Sequence, residues 1–148
     1  MKIIIREFQP EDEQVWRELW AGYLDYYRMD LPDEITTQTW QRLLQGDSGI
    51  YGLAAVNAQG DMLGIVHYLF HPVTWADGPR CYLEDLYTSE TARNRGVGRA
   101  LIEAVYDKAR EKDADQVYWL TENFNERAHY LYDKVAIKTP FIKYQKTL

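Results

Sequence analysis

Three β-rich runs follow one another between Ile50 and Thr88, and from Val97 onward the apolar residues switch to helical spacing. That change of period restricts the chain to a sheet with helices laid on its faces. Ile50–Val56 and Met62–Phe70 flank the polar stretch Asn57-Ala58-Gln59-Gly60-Asp61, the pattern of an antiparallel hairpin with a five-residue connection. After the loop His71–Gly78, Arg80–Thr88 is a further strand. Val97, Ala100, Leu101, Ala104, Val105 and Ala109 then form one stripe of a helix over Val97–Lys112. Gln116–Thr121 reads as a strand, Glu126–Val135 as a helix, and Ile137–Leu148 as a last extended segment bending near Pro140.

Ahead of the hairpin, Lys2–Phe8 is expected as a first strand with Ile3–Ile5 as its buried run. Pro10-Glu11-Asp12-Glu13 opens a helix, with proline near the first turn and acids at the positive end of the dipole. Trp16, Leu19, Trp20, Tyr23 and Leu24 follow at helical spacing. Leu31-Pro32 ends that helix, and Thr37–Leu44 is a shorter second one with Trp40, Leu43 and Leu44 inward. The order β, α, α, β, β, β, α, β, α, β implies an α/β fold built on a mixed sheet. No repeat or linker divides the 148 residues, so 1–148 is read as one domain.

A single cysteine, Cys81, excludes an internal disulfide, and His67, His71 and His129 lack the spacing of a zinc site, so no metal is expected. Cys81 has no histidine near it in sequence and reads as a small buried apolar residue rather than a nucleophile. The net charge of −6 disfavours nucleic acid and mildly favours cationic partners. Met1-Lys2-Ile3-Ile4-Ile5-Arg6 is too short an apolar run for a signal peptide or a membrane span, so a cytoplasmic protein without membrane contact is expected. Five tryptophans and twelve tyrosines exceed the needs of one small core, which suggests a homodimer or higher oligomer.

Three groups of residues carry candidate chemistry. Arg93-Asn94-Arg95-Gly96-Val97-Gly98-Arg99 lies between a strand and an amphipathic helix. Its glycines admit a ligand close to the backbone, and the helix's first amides favour an anion, most simply a phosphate. The alternative is a helix start whose glycines serve turn geometry. Leu101 stands where a dinucleotide fingerprint needs a third small residue, and Arg99-Ala100 replaces the lysine and hydroxyl of a P-loop. In the helix over Glu126–Val135, Asn125 and Tyr132 differ by about 20° around the axis and about 10.5 Å along it, so both can face one elongated ligand. Tyr132 can equally be a core tyrosine bonded to a carbonyl, and Asn123 with Glu126 fits a capping box. Third, Glu84 and Asp85 interrupt a strand just before the anion loop, where alternation sends them to opposite faces.

Arg93-Asn94-Arg95-Gly96-Val97-Gly98 resembles the Arg/Gln-x-x-Gly-x-Gly/Ala signature of the GNAT family of N-acetyltransferases. Asn125-Glu126-Arg127-Ala128-His129-Tyr130-Leu131-Tyr132-Asp133-Lys134 is similar to that family's Asn-x-x-Ala-x-x-Leu-Tyr-x-Lys helix. The element order matches the family fold over essentially the whole chain. After Lys134 the family usually has Gly-Phe, whereas this chain has Ala136-Ile137. The segment Gly22-Tyr23-Leu24 through Asp30-Leu31-Pro32, with Leu83–Tyr87, also resembles the histone and polyamine acetyltransferase branch.

The resemblance implies an acyltransferase using acetyl-CoA as co-substrate, in which an amine attacks the thioester directly within a ternary complex. The backbone of Leu86, Tyr87 and Thr88 would pair with the pantetheine arm, and residues Arg93, Asn94, Arg95, Gly96, Val97, Gly98 and Arg99 would hold the pyrophosphate. Asn125 would bond the pantetheine region, with Lys134 closing the cofactor-binding helix, and Tyr132 would stand beside the sulfur. A primary amine of pKa near 10.4 is only about 0.1% neutral near pH 7.4, a deficit of about 4 kcal/mol that a base must cover. Glu84, acting through water, is the candidate base and Tyr132 the candidate acid. Tyr23, Tyr26, Tyr27, Asp30 and Asp85 are the candidate acceptor contacts, suited to a polyamine, a lysine-like amine or a basic peptide. The competing reading is a catalytically silent acyl-CoA sensor or assembly subunit.

Overall fold

In the computed structural model, which describes residues 1–148, the strands are β1 (Ile4–Glu7), β2 (Ile50–Val56), β3 (Met62–His71), β4 (Arg80–Thr88) and β5 (Val117–Tyr118), and the helices are α1 (Glu13–Tyr26), α2 (Asp33–Gln45), α3 (Val97–Glu111) and α4 (Glu126–Val135). The sheet keeps chain order, β1-β2-β3-β4-β5. Each of the first four strands is antiparallel to its neighbour, and β5 runs parallel to β4 through two residue pairs, Cys81↔Val117 and Tyr82↔Tyr118. The parallel step needs a crossover, and α3 is that crossover.

Alternation along the central strands divides the buried residues between two cores. Leu53, Val66, Cys81 and Leu83 meet the α3 stripe of Val97, Leu101, Ile102, Val105 and Ala109 on one face. Ala54, Val56 and Ile65 meet Trp16, Leu19 and Trp20 of α1 and Trp40 and Leu43 of α2 on the other. Three of the tryptophans are thus consumed by this second core, where Trp16 lies 5.9 Å from Trp20 and 5.1 Å from Trp40 between ring centroids. Gly64 lets α3 sit directly on the β3–β4 ladder, since a Cβ there would meet the Tyr87 carbonyl oxygen and a Val97 methyl at 2.9 Å.

The structure departs from the sequence pattern at the edges. Ile4 of the expected buried run is exposed, because alternation turns Ile3 and Ile5 onto the α3-side core and Ile4 to the opposite face. Leu44 is exposed and α2 starts at Asp33, directly after Pro32, rather than at Thr37. The strand over Gln116–Thr121 shrinks to Val117–Tyr118, and the final strand over Ile137–Leu148 is not formed. Those residues have strand-forming side chains, but a strand exists only where a neighbour takes its hydrogen bonds, and within this chain none does.

A bidentate pair fastens β1 to the short 3-10 turn Pro10–Asp12 that precedes α1. Arg6 donates to Asp12 at 2.7 and 3.0 Å, and the Gln9 amide donates to the same carboxylate at 2.7 Å. Hydrogen bonding to Arg6 holds the Asp12 carboxyl below its ordinary 3.8. A depressed acid stabilises the fold above the unfolded value and loses that contribution as pH falls through the folded one. Asp12→Asn is therefore expected to cost about 1–2 kcal/mol at neutral pH, and urea melts repeated below pH 4 should show the difference from the parent shrinking.

Candidate active site

The ladder between β3 and β4 is regular except at one place. His67 pairs with Asp85 and Tyr68 with Leu83, which leaves Glu84 as an extra residue on β4. This bulge breaks the alternation that would have sent Glu84 and Asp85 to opposite faces. Leu83 stays in the α3 core, while Asp85 turns toward α1 and its carboxylate lies 2.9 Å from His67 Nδ1. Glu84 follows Leu83 and so faces away from the α3 core, and the bulge brings Asp85 to that same side of the sheet.

His67 is the functional candidate that the sequence concealed. It is 3% exposed, and its Nε2 lies 3.0 Å from Trp16 Nε1. Indole N–H can only donate, so Nε2 is the acceptor and the proton resides on Nδ1, aimed at Asp85. The result is a buried line Trp16–His67–Asp85 reaching Tyr23, with a neutral imidazole and one uncompensated negative charge. Burial first, then the Asp85 carboxylate, drive the Tyr23 phenol strongly upward, so it stays protonated. Trp20, stacked on Tyr23 at 5.1 Å, has an Nε1 without a protein partner. Glu84 is exposed on β4, yet partial desolvation and then the Asp85 charge raise its pKa. Neither carboxylate pairs with a lysine or arginine.

Tyr132 approaches from α4. Burial pushes its phenol up to about 12, with Tyr27 and then Tyr26 adding to the effect. Its ring meets Trp119 edge-on at 5.3 Å, and its hydroxyl is not bonded to a protein carbonyl. Asn125, rather than Asn123, caps α4, accepting from the Ala128 amide at 3.3 Å and leaving its own amide N–H groups available. Lys134 is exposed and folds over the Tyr130 ring at 4.0 Å, and Asp30 is exposed between α1 and α2 with no hydrogen bond or ion pair.

Two features suit a long phosphate-bearing ligand. From Leu83 to Thr88, β4 is paired with β3 but has no partner on its other edge, because β5 ends at Tyr118. The backbone of Leu86, Tyr87 and Thr88 is thus open to an extended chain bearing amides. At the end of this gap, positive φ at Asn94 (63°) and Gly96 (83°) curls the loop into the start of α3. The amides of Val97, Gly98 and Arg99 precede the first intrahelical donor, Ala100, and point out of the helix. Gly98 brings α4 close, since a Cβ there would lie 3.2 Å from a Leu131 methyl. Arg93 is held back, donating to the Thr88 carbonyl and lying over the Tyr87 ring at 5.6 Å, whereas Arg95 and Arg99 are exposed. Cys81 is fully buried with its thiol pushed up to about 12, which leaves the chain no activated thiol.

A strand with a free edge running into an anion-holding helix start, opposite unpaired carboxylates and a protonated phenol, describes an acyl-group transferase. The chain belongs to the acetyltransferase (GNAT) family, whose model matches residues 13–136. It is 38% identical over 146 residues to the D-amino-acid N-acetyltransferase HPA3 of Saccharomyces cerevisiae, covering 98% of this chain and 91% of that one. The thialysine N-epsilon-acetyltransferase of Bos taurus is 34% identical over 71 residues, 48% of this chain and 41% of that one. The fold superposes on AAC(6')-Iy, solved in complex with the bisubstrate analog CoA-S-monomethyl-acetylneamine, with a TM-score of 0.84 at 20% identity over 100% of this chain and 99% of that one.

The tautomer is directly measurable. A long-range 1H–15N correlation spectrum near pH 7.5 is expected to show His67 with an unprotonated Nε2, and a protonated Nε2 would contradict the Trp16 contact.

Proposed function

We propose that this chain transfers the acetyl group of acetyl-CoA to the primary amine of a small cationic or zwitterionic acceptor. The observation that carries the reading is the pair Glu84 and Asp85, adjacent carboxylates with no lysine or arginine partner, Glu84 exposed and Asp85 half-buried against His67. The half-buried charge of Asp85, set against a neutral histidine, invites an ammonium group. The faces of Tyr23, Tyr26 and Tyr27 offer that group further contact. The names of two relatives, a D-amino-acid and a thialysine acetyltransferase, support a small amine over a protein tail.

The fit to the coenzyme rests on the free β4 edge and the loop at residues 93–99. In this reading Leu86, Tyr87 and Thr88 pair with the pantetheine amides, the Val97–Arg99 amides hold the diphosphate, and Asn125 uses its free N–H groups on the same ligand. The amine, once neutral, attacks the thioester carbonyl carbon; the new C–N bond forms as the C–S bond breaks, and sulfur keeps the electron pair. The amine proton passes through water to Glu84, whose raised pKa brings it closer to the amine than an ordinary carboxylate. Tyr132, protonated at every working pH, gives its proton to the departing sulfur. Asp85 and His67 hold Tyr23 in place. Homo-oligomer formation is part of the same proposal.

A thiol-release assay with D- and L-amino acids, thialysine-like amines, polyamines and basic peptides ranks the acceptors. Release with small amines is expected, and tight coenzyme binding without release for any amine would mean a silent acyl-CoA sensor. Tyr132→Phe should keep coenzyme affinity and lose about 100-fold or more in kcat. The rate should rise with pH through the Glu84 range, and no alkaline fall attributable to Tyr132 should occur below about pH 11. Asp85→Asn should raise the acceptor KM about tenfold with little change in coenzyme affinity.

A further inference from the structure

The contact between Trp16 and His67 does more than fill the second core. Trp16 is fully buried, His67 nearly so, and Asp85 half-buried beside them. The Trp16 indole donates to His67 Nε2 at 3.0 Å, and His67 Nδ1 lies 2.9 Å from an Asp85 oxygen. A phenylalanine at position 16 could also pack between Trp20 and Trp40, so what the indole adds to that packing is its single N–H. A neutral imidazole has one nitrogen able to take a proton, and here that nitrogen is occupied by the indole. Protonating it would set one N–H against another and leave the buried indole without an acceptor. Neither ring has room to turn aside. Phe8, Trp16 and Trp20 enclose the imidazole at 6.2, 6.0 and 5.2 Å between centroids, and Trp16 stacks on Trp20 within 11° of parallel.

Without the indole, the same place would favour a charged ring. A carboxylate at hydrogen-bond distance draws a histidine toward its protonated form, and the imidazolium would then neutralise Asp85. The titratable and charged groups around the imidazole are Asp85 and Glu84 of β4, protonated Tyr23 of α1, and Arg42 of α2, whose charge acts on Glu84. Its neighbour on β2 is Gly52, which brings no side chain. Neither Asp85 nor Glu84 is paired with a lysine or arginine, so the state of the ring decides how much negative charge the site presents.

We propose that Trp16 is a positioning residue for acceptor binding: its N–H locks His67 in the neutral form, so that Asp85 still offers an uncompensated charge to an ammonium group in mildly acidic solution. This rests on the reading that Asp85 meets the acceptor amine. Trp16, being fully buried, acts only through His67.

Acceptor KM and kcat of the parent, Trp16→Phe and Trp16→Phe/His67→Gln, measured between about pH 5.5 and about pH 8, test this. Titration of the amine and of Glu84 is common to all three, so the quantity read is the ratio of variant to parent KM. For Trp16→Phe the ratio is expected to lie within about threefold of one near the alkaline end and to grow about tenfold toward the acidic end, with coenzyme affinity unchanged. Glutamine takes no proton, so the double variant should return a ratio that does not move with pH. A flat ratio for Trp16→Phe overturns the proposal, and so does a pH-dependent ratio that survives in the double variant. Because the buried substitution weakens the core, the parent is also tested alone. Its long-range 1H–15N spectrum at about pH 5.5 should still show one protonated nitrogen on His67, and two would overturn the proposal. A parent that acetylates no amine overturns the reading of the site itself, whereas transfer with a flat ratio overturns this proposal alone.

Discussion

One inserted residue organises this protein. With an unbroken ladder, Leu83 and Asp85 would share a face, and either a carboxylate would enter the α3 core or a leucine would leave it. The bulge at Glu84 lets β4 satisfy both cores: Leu83 packs with Val97 and Leu101, and two residues later Asp85 meets a histidine beneath α1. It also turns the strand at the point where β4 and β5 part, which is where the free backbone edge begins. Both carboxylates and the open edge therefore derive from a single irregularity in register.

The Trp16–His67–Asp85 line shows how the second core keeps that irregularity in place. A buried carboxylate ordinarily needs a cation. Here the partner is a neutral imidazole fixed by an indole donor, so Asp85 is hydrogen-bonded but not neutralised. Its charge stays available to whatever enters beside Tyr23. The surrounding rings make this arrangement rigid: His67 lies 5.2 Å from Trp20 and 6.0 Å from Trp16 between centroids, leaving the imidazole little room to turn. Packing and electrostatics are thus supplied by the same tryptophans.

Much of the fold was legible because its signals are local. The stripe from Val97 to Ala109 gave α3 to within one residue, Glu126–Val135 and Arg80–Thr88 match their elements end for end, and the hairpin over Asn57–Asp61 is where its turn residues put it. The turn leading into α3 and the helix that carries Tyr132 were legible for the same reason, as short contiguous patterns. His67 was not, because its partners lie 51 and 18 residues away and only the sheet brings them together. The common side of Glu84 and Asp85 was hidden too, since period-two alternation has no symbol for a bulge. Tyr132 came with two readings, core residue or ligand contact, and burial does not choose between them; its unbonded hydroxyl favours the second.

The last strand is the instructive failure. Ile137–Leu148 has the composition of a strand and yet forms none, while β5 has the composition of a six-residue strand and forms two pairs. Helical hydrogen bonds close within one segment, so a helical pattern can be read from that segment alone. Strand hydrogen bonds belong to pairs, so a strand pattern states only half of a contact.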